Sequence, residues 1–99
     1  MKCNSYDNFF SNFANKTKFR MIMLLKDRPM SVNDLAKAMD EEQSKISHNL
    51  TKLSQCNILT AKQDGKKRIY SLNKDTIMPI MKMVEKHVEK HCDKRCKEC

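Results

Sequence analysis

The side chains best suited to chemistry crowd one end of this chain. His87, His91, Cys92, Cys96 and Cys99 read His-x3-His-Cys-x3-Cys-x2-Cys, with three of the five cysteines falling in the last eight residues. On a continuing helix, Cys92, Cys96 and Cys99 share one stripe at i, i+4 and i+7, beside an i, i+4 pair formed by His87 and His91. Lys90, Lys94, Arg95 and Lys97 are interleaved with them. Nearby cations favour thiolate over thiol, and thiolate is the form that binds a metal. Three thiolates with one imidazole suit tetrahedral zinc or cadmium. Three thiolates with a vacant position suit trivalent arsenic or antimony, as arsenite or antimonite. The plainer reading is an exposed tail whose cysteines bind nothing specific, and a third is a thiol-redox switch. No organic cofactor is expected.

Charge and length narrow the partners. The 99 residues carry a net charge of +8, with nine basic against six acidic residues over 1–60 and eleven against six over 61–99. A small domain this basic usually meets a polyanion, most often nucleic acid. The length fits one domain and excludes an independent two-domain enzyme. The longest apolar run, Met21 to Leu25, is five residues, and Met1-Lys2-Cys3-Asn4-Ser5 opens no signal peptide. A cytoplasmic protein with no membrane partner is therefore expected. There an odd number of cysteines points to reduced thiols rather than a disulfide framework. Cys56 reads as a small buried filler.

These groups need elements to position them. One glycine and two prolines argue against a many-stranded sandwich or barrel and for a mainly helical chain. Tyr6, Phe9, Phe10 and Phe13 form one helical stripe, either core-facing or a dimer contact. Thr17 is positioned to cap a second helix through Phe19, Ile22, Met23 and Leu25, closed at Asp27-Arg28-Pro29. Met30-Ser31-Val32 reads as an extended linker, and Asn33 as the cap of a short helix, Asp34 to Met39. A helix from about Gln43 to Gln55 buries Ile46, Leu50 and Leu53. Its opposite face carries Gln43, Ser44, Lys45, Ser47, His48, Asn49 and Lys52, groups suited to base edges and phosphates. A two-stranded hairpin follows, turning at Asp64-Gly65 with Lys66, Lys67 and Arg68 at its tip. The last helix, from Asp75 to about Lys94, is amphipathic through Ile77, Ile80, Met81, Val84 and Val88.

Four of these segments resemble, in order and in register, the ArsR/SmtB family of metal-responsive repressors. Ala14-Asn15-Lys16-Thr17-Lys18-Phe19-Arg20-Met21-Ile22 is similar to the family's Ala-Asp-Pro-Thr-Arg-Leu-Arg-Ile-Leu opening, and Ser31-Val32-Asn33-Asp34-Leu35-Ala36 to its Ser-Val-x-Glu-Leu-Ala. Gln43-Ser44-Lys45-Ile46-Ser47-His48-Asn49-Leu50-Thr51-Lys52-Leu53 resembles its recognition helix, and Asp64 to Leu72 its wing. Lys16 stands where proline is usual and Asn49 where a second histidine is. The resemblance implies a winged helix-turn-helix, mainly α with a small two-stranded β wing, forming a homodimer through its first and last helices. It implies double-stranded operator DNA as the partner. Gln43, Ser44, Lys45, Ser47 and His48 would face the major groove, while Lys52, Lys62, Lys66, Lys67 and Arg68 would meet phosphates.

The resemblance also directs the search for an effector. Ala36-Lys37-Ala38 lacks the Cys-x-Cys pair that some members carry, and Asp75-Thr76-Ile77 lacks the early histidine of the inter-helix zinc motif. Other members bind their effector through cysteines in a C-terminal extension. That places the ligands at Cys92, Cys96 and Cys99 with His87 or His91. Cys3 is a further candidate, because the first and last helices of such dimers meet. Residues 1–90 are then a DNA-binding and dimerisation domain, and 91–99 a cysteine-rich extension. A protein-binding winged helix that never touches DNA is the alternative from another class. No nucleophile, base and orienting group assemble from these motifs, so an enzyme is not expected.

Overall fold

The computed structural model describes residues 5–92, so Cys3, Cys96 and Cys99 lie outside the described residues. Within them the order is α1 (Tyr6–Ala14), α2 (Lys16–Asp27), α3 (Val32–Met39), α4 (Gln43–Gln55), β1 (Leu59–Asp64), β2 (Lys67–Leu72) and α5 (Ile77–His91). The expected mainly helical winged helix-turn-helix is observed.

Short polar side chains start the first helices. Ser5 accepts from the Asn8 N–H at 3.2 Å to begin α1. Asn15 both ends α1 and begins α2, its extended backbone letting the side chain accept from the Lys18 N–H at 2.9 Å. The expected cap at Thr17 is therefore displaced two residues upstream, Thr17 being already inside the helix. Phe9 and Phe13 pack against the core, while Tyr6 and Phe10 face outward. In α2, Met21, Ile22 and Leu25 are buried and Phe19 and Met23 sit at the edge. The helix stops at Arg28, extended as a residue before proline must be.

Met30 is more than a linker. Its N–H donates to the Tyr70 carbonyl at 3.0 Å and its carbonyl accepts from the Tyr70 N–H at 2.8 Å. That pairing leaves Ser31 extended and able to cap α3, two residues ahead of the expected Asn33. Ser31 Oγ accepts from the Asp34 N–H at 3.2 Å and Asp34 Oδ2 from the Ser31 N–H at 3.1 Å, a reciprocal capping box. The hydrogen bonds from Ser31, and secondarily the charges of Lys67 and Arg28, hold the Asp34 carboxyl below its usual range. Ser31→Ala is expected to destabilise the fold by about 1 kcal/mol in urea denaturation at neutral pH. A depressed carboxyl contributes fully above its unfolded pKa and loses that contribution as pH falls through the folded value. The advantage of the natural chain over Asp34→Asn should therefore fade below pH about 4.

Asp40 ends α3 in the left-handed region at φ 52°, turning the chain into α4. Ile46, Leu50 and Leu53 seat α4 on a core with Met21, Ile22, Leu35 and Ile77. β1 and β2 pair antiparallel from Leu59↔Leu72 to Asp64↔Lys67. Gly65, at φ 63°, supplies the positive dihedral that the two-residue connection requires. Pro79 is the third residue of α5, where a missing N–H leaves no intrahelical bond broken.

α5 begins two residues later and ends about three residues earlier than the expected span of Asp75 to about Lys94. Cys92 is the C-cap with extended backbone, φ −102° and ψ 102°. Cys92 therefore lies just outside the helix that carries His87 and His91, and the rest of the expected stripe, Cys96 and Cys99, lies outside the described residues. Cys56, expected as a reduced filler, is half-buried against the core and disulfide-bonded.

Candidate nucleic-acid interface

The apolar side of α4 is consumed by the core, so its remaining side must face out. Gln43, Ser44, Lys45, Ser47, His48 and Lys52 are all exposed there. Asn49 and Thr51 are turned back on the helix, donating to the carbonyls of Lys45 at 3.1 Å and Ser47 at 3.0 Å. Lys45 is ion-paired with Glu41 across one turn at 2.9 Å. An exposed pair of this kind contributes at most about 1 kcal/mol, so a phosphate or base can take Lys45 from it.

Gln43, the first residue of α4, is held from a second helix. Its Nε2 donates to Asn33 Oδ1 in the first turn of α3. The sequence marks Asn33 only as a helix cap, and its reach to Gln43 depends on how the Asp40 turn brings the two helices together. Lys18 is another residue that spacing does not single out. Partial burial, and secondarily the charge of Lys52, lower the pKa of its ammonium, which places an α2 cation beside an α4 cation.

The wing completes the surface. Lys62, Lys66, Lys67 and Arg68 are exposed, and Arg68 lies 5.9 Å from the centre of the Tyr70 ring. Lys66, Lys67 and Arg68 line a groove of about 240 Å³ together with Ser31, Asn33 and Gln43. Hairpin tip, α3 start and α4 start, separate in sequence, therefore form one polar and cationic face. Lys62 stands one element away, opposite Ile69 on β1.

The proposed metal ligands are only partly gathered. His87 and His91 are exposed neighbours with ring centroids 4.9 Å apart, and Cys92 is half-buried with a free thiol. Among the described residues no group of three His, Cys, Asp or Glu is placed to hold a metal. Imidazole and thiol remain the right donor chemistry for a soft ion, and His87, His91 and Cys92 would be its described contributors. None of the helices of the described residues is long and apolar enough to cross a membrane.

A buried-face helix-turn-helix followed by a cationic hairpin defines a winged helix-turn-helix protein. Residues 15–61 match the family model described as bacterial regulatory protein, arsR family, so the segment from α2 into the wing is similar to that family. Two curated relatives are similar over most of its length. The HTH-type transcriptional regulator KmtR of Mycobacterium tuberculosis is 28% identical over 73% of this chain and 55% of its own. The transcriptional repressor SmtB homolog of a Synechocystis species is 30% identical over 80% of this chain and 60% of its own. The chain thus spans somewhat over half the length of both. Among solved structures, the homodimeric winged helix-turn-helix domain of a possible ArsR-family regulator from Mycobacterium bovis shares the fold. Its TM-score is 0.78 at 18% identity, covering 88% of this chain and 81% of that one.

Proposed function

We propose that this chain is a cytoplasmic, homodimeric repressor that binds double-stranded operator DNA and releases it when a soft metal or metalloid binds the C-terminal cysteines. One observation carries the DNA part: the start of α4 and the cations Lys66, Lys67 and Arg68 line the same groove. A major-groove reader and a backbone anchor are then presented together. The regulator and repressor names of the curated relatives support the transcriptional role. Homodimer formation is supported by the homodimeric Mycobacterium bovis domain of the same fold. Gln43, Ser44, Lys45, Ser47 and His48 read bases, and Lys52, Lys62, Lys66, Lys67 and Arg68 hold phosphates. The division between 1–90 and 91–99 is supported by the end of α5 at His91.

Effector release is the finer part of the reading. Arsenite, antimonite, zinc or cadmium would be held by Cys92, Cys96 and Cys99, with His87 or His91 added where four ligands are required. Such an ion dissociates DNA only by preferring the subunit arrangement that misplaces the two α4 helices. The test is a titration of arsenite, cadmium, zinc and copper into the complex of the full chain with DNA from upstream of its own coding sequence. Changing the three cysteines to serine should leave DNA affinity unchanged and abolish the response. So should ending the chain after His91. A truncated chain that still releases DNA would place the sensor elsewhere.

The disulfide at Cys56 favours a second reading, a redox-responsive repressor. Cys56 caps the C-terminus of α4. Reduction by a dithiol would return two thiols to the protein and leave the reductant as its own disulfide. In that case dithiothreitol, and not metal ions, would change DNA affinity, and Cys56→Ser would remove the change.

A further inference from the structure

We propose that Asn33 is a positioning residue that sets the base preference of Gln43 without touching DNA. This rests on the reading of α4 as the major-groove helix. The observation is the hydrogen bond from Gln43 Nε2 to Asn33 Oδ1, which joins the first turn of α3 to the first residue of α4 across ten positions of sequence.

A glutamine at the exposed start of a helix has three free side-chain torsions and an amide that presents a donor or an acceptor with equal ease. Left free, it accommodates several base edges and discriminates weakly. While Asn33 presents Oδ1, Nε2 is committed to it, and Oε1 is the group left without a protein partner among the contacts of Gln43. An acceptor held in place selects a base edge that donates in the major groove, adenine N6 or cytosine N4, over guanine O6 and thymine O4, which only accept. The second Nε2 proton remains available for adenine N7. The tether therefore favours adenine at the position Gln43 reaches.

Its surroundings suit this role. Both residues are exposed, so the pair holds no core in place, and α3 and α4 are already fixed by Leu35, Met39, Ile46 and Leu50. Lys66, Lys67 and Arg68 line the same groove and draw phosphates toward it. The hydrogen bond is made in the protein without DNA, so the orientation is fixed before binding rather than at the cost of affinity during it.

The experiment selects duplexes from a randomised pool with the full chain, then measures the preference at every position for the natural protein, Asn33→Ala, Asn33→Asp, Gln43→Ala and the double variant Asn33→Ala with Gln43→Ala. Asn33→Ala is expected to reduce discrimination about tenfold at the same base pair that Gln43→Ala affects, and at no other. The double variant should lose no more than Gln43→Ala alone. Asn33→Asp keeps an acceptor for Nε2, so it should retain the preference while its added charge weakens all duplexes together. Thermal melts of all variants should coincide within a few degrees. Asn33→Ala with unaltered preferences beside a selective natural protein overturns the tether alone. A natural chain that selects no sequence overturns the major-groove reading, and the tether with it.

Discussion

Replacing Phe10 and Val84 together by aspartate is expected to turn a dimeric chain into a folded monomer and to remove its affinity for paired half-sites. The expectation comes from apolar surface that the monomer leaves uncovered. On α5, Ile80, Met83, Val84 and Val88 are 38%, 67%, 48% and 42% exposed, while Ile77 and Met81 are buried in the core and Met78 packs against it. Tyr6 and Phe10 on α1 are exposed at 85% and 59%. Phe19 and Met23 of α2 join Met81, Val84 and Val88 around an apolar groove of about 240 Å³. A two-fold axis doubles each substitution, and every lost large apolar contact costs up to about 1.5 to 3 kcal/mol before the burden of burying a carboxylate. Allowing for partial exposure, the dimer dissociation constant should rise at least about 100-fold. Sedimentation velocity measures this, with circular dichroism reporting that the helices persist. A natural chain that sediments as a monomer at tens of micromolar would remove the dimer from the proposal.

The second large effect concerns salt. Lys67→Ala with Arg68→Ala should weaken binding to all duplexes alike and reduce the slope of log affinity against log salt by about two per half-site, because each phosphate contact contributes about 0.9. Over a fourfold rise in salt, affinity would then fall about tenfold less per half-site than for the natural chain. Gln43→Ala should act differently, altering which sequences bind and leaving the slope nearly unchanged. Fluorescence anisotropy on one selected and one scrambled duplex at several salt concentrations separates the two. If both variants change slope and preference together, the division between anchoring and reading residues is wrong.

How far the sequence discloses these features depends on whether a feature is local. α4 was legible from residue 43 to residue 55, because Ile46, Leu50 and Leu53 fix its buried side and two acids precede it. The wing was legible because Asp64-Gly65 is a strong local turn signal and Gly65 takes the expected positive φ. Helix starts at α2 and α3 were displaced by about one half-turn, since Asn15, Thr17, Ser31 and Asn33 are all competent caps. At α3 the winner is decided by pairing with the distant Tyr70. The contact of Asn33 with Gln43 and the approach of Lys18 to Lys52 are tertiary, and neither leaves a periodic trace. The end of α5 at His91 was not legible either, because charged residues continue past it with unchanged helical spacing.

The pairing of Met30 with Tyr70 has a mechanical consequence for the wing. Tyr70 lies in the middle of β2, and Met30 immediately precedes the cap of α3. The hairpin is therefore clamped at midspan to the segment from which α3 springs, and only the outer stretch from about residue 62 to residue 68 projects as a cantilever. A force applied by DNA at Lys67 bends this short free length but meets a stiff root at Met30. Angular error between wing and reading helix is confined to the tip. Lengthening both strands by paired residues between Lys62 and Arg68, with Gly65 kept for its positive φ, should extend the reach of the arm while leaving its aim unaltered.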